Sequence, residues 1–201
     1  MRLVICPGVH DPKLTDRFLA GLSEVWEPDN LRQNTQTSYP VKIFPAHKHP
    51  PFSALDIFHF LCSQELTGES LVFVSFSAGV AGAIGAAWMW QQLGGQVGAF
   101  FALDGWGVPL GGNFPIHRLS HDRFTHWSSA ILGSGGDSFY ADPALAKPSK
   151  RIAHLDLWQD PQTAKGWHIS HTAAGTETAA PTTAAKFLVH LLKQYGVQSV
   201  V

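Results

Sequence analysis

Charge and cysteine are both scarce in this chain. Of its 201 residues, 14 are Lys or Arg and 15 are Asp or Glu, which leaves a formal net charge of -1 at pH 7. Such a balance carries no basic stripe for nucleic acid and no polybasic segment for an anionic membrane surface. Cys6 and Cys62 are the only cysteines. Cys6 falls in an expected strand and Cys62 in an expected helix, so they read as two unrelated buried thiols rather than a disulfide framework. No apolar run reaches the roughly 18 residues of a membrane span. The apolar run before Pro7 is also too short for a secretory leader. Internal repeats and low-complexity tracts are absent, although residues 172–185 are biased toward threonine and alanine. Together these absences lead to the expectation of a cytoplasmic protein.

Aromatic and apolar residues are plentiful. Hydrophobic residues make up 45% of the chain, with seven Trp and 13 Phe, enough for an aromatic core, an apolar pocket or both. A chain of this length can bury one sizeable core. Residues 2–6 read as a buried strand ending at Pro7-Gly8, followed by a helix over 12–25 with Asp11 as its cap and Pro12 in its first turn. A polar connector (27–38) leads to a short strand at 40–44. Ser53 and Asp56 then form a capping-box pattern for a helix carrying Leu55, Phe58, Leu61 and Cys62. Val97 to Leu103 reads as a strand ending at Asp104-Gly105, and 151–158 as another. The last helix is expected to start near Pro181 and end at Gly196.

Residues 105–150 break this rhythm. They are rich in glycine, proline, histidine and aromatics, and far exceed the usual connection of about 2 to 6 residues, so they are expected to form a lid-like insertion. Alternating strands and helices imply a right-handed, mostly parallel arrangement. The fold expected is therefore a single α/β domain over 1–201, a three-layer αβα sandwich with a sheet of about five or six strands.

The run Leu71-Val72-Phe73-Val74-Ser75-Phe76-Ser77-Ala78-Gly79 is the most informative in the chain. A β-rich segment stops at a serine and a helix-forming segment begins at once. A nucleophile elbow is built this way, with its serine on a sharp strand-to-helix turn and its hydroxyl exposed at the sheet edge. The usual pattern is G-x-S-x-G, and Ser75 stands here in place of the first glycine. A structural serine in a tight βα turn gives the same short pattern.

With this elbow, the chain resembles a compact α/β-hydrolase that lacks the first two strands of that family's sheet. The resemblance covers most of the chain by order of elements, and the elbow by motif. It implies a chain order of nucleophile, acid and histidine. Ser77 would then be the nucleophile. The backbone amide of Ala78, with that of Val9 or His10 in the Pro7-Gly8-Val9-His10-Asp11 loop, would form the oxyanion hole. The base is expected shortly before the last helix, at His171 or, less favourably placed, His168. The acid is either Asp104, at an abrupt strand end, or Asp160, after the following expected strand.

The resemblance implies a serine hydrolase of ester or thioester type, working through an acyl-enzyme without cofactor or metal. His117, His121 and His126 match no standard metal-ligand spacing. Aromatics of the insertion, among them Trp106, Phe114 and Trp127, would line an acyl pocket and favour an apolar acyl group. Two rival readings remain: a non-catalytic binding protein on the same fold, and a flavin or nucleotide binder, for which the loop after the first strand offers one glycine and an acidic residue. Oligomeric state is not legible in the sequence.

Overall fold

The computed structural model describes residues 1–26, 41–66, 68–131, 135–146, 151–171 and 176–200, with His171 described by its backbone. The connector at 27–38 and the first four residues, 172–175, of the threonine- and alanine-rich stretch lie outside these residues. Within them, eight strands form one mixed sheet: β1 (Arg2–Cys6), β2 (Lys42–Ile43), β3 (Ser70–Phe76), β4 (Gln96–Leu103), β5 (Ile116–Ser120), β6 (Ser138–Ala141), β7 (Lys165–His171) and β8 (Glu177–Thr183). Their order across the sheet is β2-β1-β3-β4-β5-β6-β7-β8. The pairs from β2 through β6 are parallel, and β7 and β8 extend the sheet as an antiparallel hairpin. The sheet is therefore mostly parallel, as expected, but larger than five or six strands.

Among the described residues, six α-helices cover its two faces: α1 (Lys13–Ser23), α2 (Ala54–Cys62), α3 (Ala78–Gln92), α4 (Arg123–Ala130), α5 (His154–Gln159) and α6 (Ala184–Gln194). On one face Phe18 and Leu22 of α1, Leu157 and Trp158 of α5 and Phe187 of α6 pack on Ile5, Val74 and Phe101. On the other, Ile57 and Leu61 of α2 and Val80 and Ala83 of α3 pack on Val4, Phe73 and Phe100. Strands buried on both faces read as continuous apolar runs, and β1, β3 and β4 do so. Ser53 caps α2 as its sequence suggests, accepting the Asp56 N–H at 3.2 Å. Asp11 lies one position outside the cap of α1, where its carboxylate accepts the Lys13 N–H at 2.9 Å. Cys6 is buried and Cys62 exposed, and both are free thiols.

Three stretches differ from expectation. Residues 105–150 are not an insertion laid over the sheet: they supply β5, α4 and β6, which continue the parallel ladder. Polar side chains disguise β5, because His117, Arg118 and Ser120 are all buried there. Residues 151–158, expected as a strand, hold instead an extended entry and helix α5. Short apolar runs are ambiguous between the two states, and the Asp156 carboxylate, accepting the Ala153 N–H at 3.1 Å, fixes the helical start. Pro181 belongs to β8 rather than to the last helix. β8 is an edge strand, where a missing N–H costs nothing, and Thr183 caps α6 by accepting the Lys186 N–H.

This topology decides where a site can form. From β1 the chain moves to one side for β2 and returns on the other side for β3. Loops leaving β1 and β3 therefore part, and open a crevice at their carboxyl ends.

Candidate functional site

Ser77 occupies that crevice, on the turn between β3 and α3. Its backbone has φ 53° and ψ -125°, and Asp104, at the end of β4, has φ 49°. Among the described residues these two are the only non-glycine residues with positive φ. Left-handed backbone strains an L side chain, and such strain collects at functional sites. Hydrogen bonds hold both turns, from the Ser77 N–H to the Leu103 carbonyl at 2.9 Å and from the Asp104 N–H to the Leu119 carbonyl at 2.8 Å. Each strand end is thus tied to its neighbour just where the chain bends.

Small residues make the turn possible. A methyl group on Gly79 would run into the carbonyl oxygens of Cys6 and Pro7, and one on Gly8 would lie 3.0 Å from the Ser77 Cβ. The loop after β1 is therefore pressed directly against the turn. Ser75, in the place of the usual glycine, is fully buried, and its hydroxyl donates to the Phe101 carbonyl at 2.9 Å. The extra oxygen is satisfied within the sheet, so serine is tolerated there.

His154, the first residue of α5, completes the arrangement. Its Nε2 lies 3.0 Å from the Ser77 hydroxyl, and its Nδ1 lies 2.9 Å from Asp104 Oδ2. An ionised carboxylate only accepts, so Nδ1 carries the proton and Nε2 is left to accept from the Ser77 hydroxyl. The ring is fixed by stacking: Phe18 on Trp158 at 3.9 Å, Trp158 on Phe76 at 5.0 Å, and Phe76 on His154 at 4.6 Å between centroids. Part of the aromatic richness of the chain serves this purpose.

Asp104 has a second imidazole. His121, just after β5, places Nδ1 2.9 Å from the same Oδ2, and its backbone N–H donates to Oδ1 at 2.9 Å. Burial by itself would raise the Asp104 pKa, but the hydrogen bonds from His121 and His154 reverse that and hold it below the usual carboxylate range. The bond to Asp104 raises the His121 pKa, with further help from Asp122, whose Oδ2 is 3.4 Å from Nε2. Arg151, 3.7 Å from Asp122, and burial oppose the rise.

The sign of the resulting pH dependence follows. His121 titrates higher folded than unfolded, so its contribution to stability is complete below the ordinary histidine pKa and fades as pH rises through the folded value. Asp104 titrates lower when folded, so its share is lost only in acid, as pH falls through that lowered value. Urea unfolding of the wild type and His121→Gln at pH 5.5, 7 and 8.5 is expected to show a wild-type advantage that shrinks as pH rises. An advantage that is constant across the three would contradict the pairing.

The sequence-derived candidates divide into two groups. Ser77, Asp104, Ala78 and Trp106 line one cleft of about 380 Å³, together with Val108, His121, Thr125 and His154. Val9 and His10 lie in the loop pressed against the turn, Val9 exposed and the His10 ring 5.8 Å from Phe76. The others lie elsewhere. Asp160 is paired with Arg17 of α1 at 2.5 Å. His168 is bonded to Asp137 at 2.9 Å and stands edge-on to Phe187 on the α6 face. His171 ends β7 opposite Glu177, in the antiparallel hairpin. Phe114 is buried against Phe100, and Trp127 is exposed on α4 outside the cleft lining. The histidine beside Ser77 is therefore His154, a residue that the reading of 151–158 as a strand concealed. The usable signal was Asp156, an acidic residue in first-turn position behind His154.

Asp104, His121 and His154 also place one ligand atom each within 4.8 Å of one another, a set able to hold a divalent transition ion. Such an ion would displace the proton from the Nδ1 of each imidazole and leave His154 Nε2 protonated, donating to Ser77 rather than accepting from it. The chain matches no family model, no curated protein and no solved structure.

Proposed function

We propose that the protein is a serine hydrolase acting on a carboxylic ester or thioester, on an α/β-hydrolase-like fold. One observation carries the reading: a hydroxyl on a strained strand-to-helix turn, bonded to an imidazole that is bonded in turn to a buried carboxylate. His154 removes the Ser77 proton as the oxygen attacks the carbonyl carbon. Asp104 holds the imidazole in the tautomer with Nε2 free and stabilises the imidazolium that forms. The Ala78 amide, at the start of α3 where helical N–H groups have no internal acceptor, and the amides of Val9 or His10 receive the developing oxyanion. The imidazolium then protonates the leaving group, and water activated by the same His154 releases the acid and restores Ser77. Exposed Trp106 and half-buried Val108 in the cleft favour an apolar acyl group.

The test is covalent labelling with a fluorophosphonate probe, which requires an activated serine. Labelling of the wild type and none of folded Ser77→Ala is expected. Equal labelling of both, or none of the folded wild type, would refute the reading.

The two-histidine, one-carboxylate set supports a second reading, a metal-dependent hydrolase with Ser77 beside the ion. It requires activity that falls with a chelator and returns with a divalent ion. The serine mechanism requires labelling indifferent to the chelator and inhibited by added zinc.

A further inference from the structure

Strand β5 sorts its side chains between the two faces of the sheet. His117 faces α6, between the Asp137 carbonyl and the Tyr195 hydroxyl, each at 2.8 Å, and Leu119 packs in the cluster that holds Phe187. Alternation sends Arg118 to the opposite face, under α4. Arg118 is 3% exposed, and Nε, Nη1 and Nη2 all lack a hydrogen-bond partner. A buried guanidinium with no counter-charge is among the least favourable placements a side chain can have.

A second orphan stands nearby. His126 of α4 has a buried Nδ1 without a partner, while its Nε2 lies 3.4 Å from Ser138 Oγ on β6. Burial pushes the His126 pKa down and the Arg118 charge pushes it further, which puts the two side chains within electrostatic reach of each other. Glu177 acts on His126 in the opposite sense, but only burial acts on Arg118. Arginine stays charged even so. Two cationic or cation-forming groups thus converge on one buried place, and among the described residues no carboxylate answers the arginine.

We infer that the region between α4 and strands β5 and β6 binds a small oxyanion, a phosphate or carboxylate group, on Arg118 with His126 as the second donor. A guanidinium offers two N–H groups in a planar fork that matches both anions. Protonated His126 adds a donor at Nδ1. Access does not demand disruption of the core: in α4 only Ser129 is buried, and Phe124 and Trp127 face solvent, as does Ile131 just beyond. Lifting the helix would part His126 from Ser138 and from the Tyr140 ring, 5.4 Å away, but no α4 side chain belongs to either main apolar cluster. Thr125 on the same helix lines the Ser77 cleft, so the anion site adjoins it without sharing its residues.

The experiment is thermal unfolding of the full chain in millimolar inorganic phosphate or, separately, acetate, with ionic strength held constant by chloride. A saturable rise in Tm with either anion is expected in the wild type, and phosphate against acetate tells which group is preferred. Ser77→Ala should keep the rise, which separates this site from the hydrolase reading. Arg118→Met should lose it, with a Tm in chloride equal to or above that of the wild type because the unpaired charge is gone. Should Arg118→Met not fold, His126→Gln carries the test through a higher half-saturating concentration. No saturable rise in the wild type, or a rise undiminished in Arg118→Met or His126→Gln, overturns the inference.

Discussion

Replacing His154 by alanine is expected to lower kcat on a p-nitrophenyl ester by roughly 10⁴ to 10⁶, the range seen when a serine–histidine pair loses a member. The size follows from what the imidazole does. Ser77 alone holds its proton far too tightly to attack a carbonyl at neutral pH, and within the cleft the group 3.0 Å from its oxygen is His154 Nε2. Because the two act as one unit, the double variant Ser77→Ala/His154→Ala should be no slower than either single variant. His171→Ala provides the contrast. It sits at the end of β7, which runs antiparallel to β6 and so ends on the sheet edge opposite Ser77, and its loss should leave kcat within about twofold. A loss with His171→Ala as large as with His154→Ala would mean that the base had been misassigned.

The contrast shows why sequence reasoning reached the elbow but not the histidine. Ser77 is legible because its turn is written in local sequence: a β-branched and aromatic strand, a serine, then Ala78 and Gly79 opening a helix. Asp104 is legible almost as well, at the end of an apolar strand before Gly105. His154 has no such local pattern. Its placement depends on β5 and β6 adding to the sheet, which carries the chain back to the edge where Ser77 waits. Those strands were hidden because β5 buries His117 and Arg118, residues that ordinarily mark a surface or a loop. With β5 and β6 read as an insertion, residues 151–158 take the place of the fifth strand, and the histidine is expected after them rather than within them. A further cause is the hairpin of β7 and β8. The stretch around His168 and His171 reads as a loop ahead of the last helix, whereas it forms β7, paired antiparallel with β8.

The same comparison bears on the site's second histidine. His121 has no motif either, but it directly follows β5, and adjacent parallel strands end on the same edge. Ser77, Asp104 and His121 come from the ends of β3, β4 and β5, three neighbouring strands. Had β5 been recognised, the convergence of the three would have followed from strand order alone.

Gly79→Ala is expected to damage both the fold and the candidate site. The new Cβ would have to occupy space held by the carbonyl oxygens of Cys6 and Pro7. Neither can yield as a flexible side chain would, because both belong to the end of β1 and the loop after it. Relief requires α3 to move away from β1, and α3 begins at the residue after Ser77. Overpacking of this kind costs about 1 to 3 kcal/mol or more, and a displacement near 1 Å at the reacting groups lowers rate by about 100-fold. Lower Tm and loss of fluorophosphonate labelling should therefore appear together. Gly111→Ala is the matched control: no atom lies within 4 Å of its added Cβ, and its φ is not positive, so stability should stay within about 0.5 kcal/mol of wild type. If Gly79→Ala unfolds at the wild-type temperature and labels normally, the close approach of the β1 loop to the turn is not what holds Ser77 in place. The strain at Ser77 would then have to be sustained by its own hydrogen bonds, to the Leu103 carbonyl, the Val80 N–H and His154.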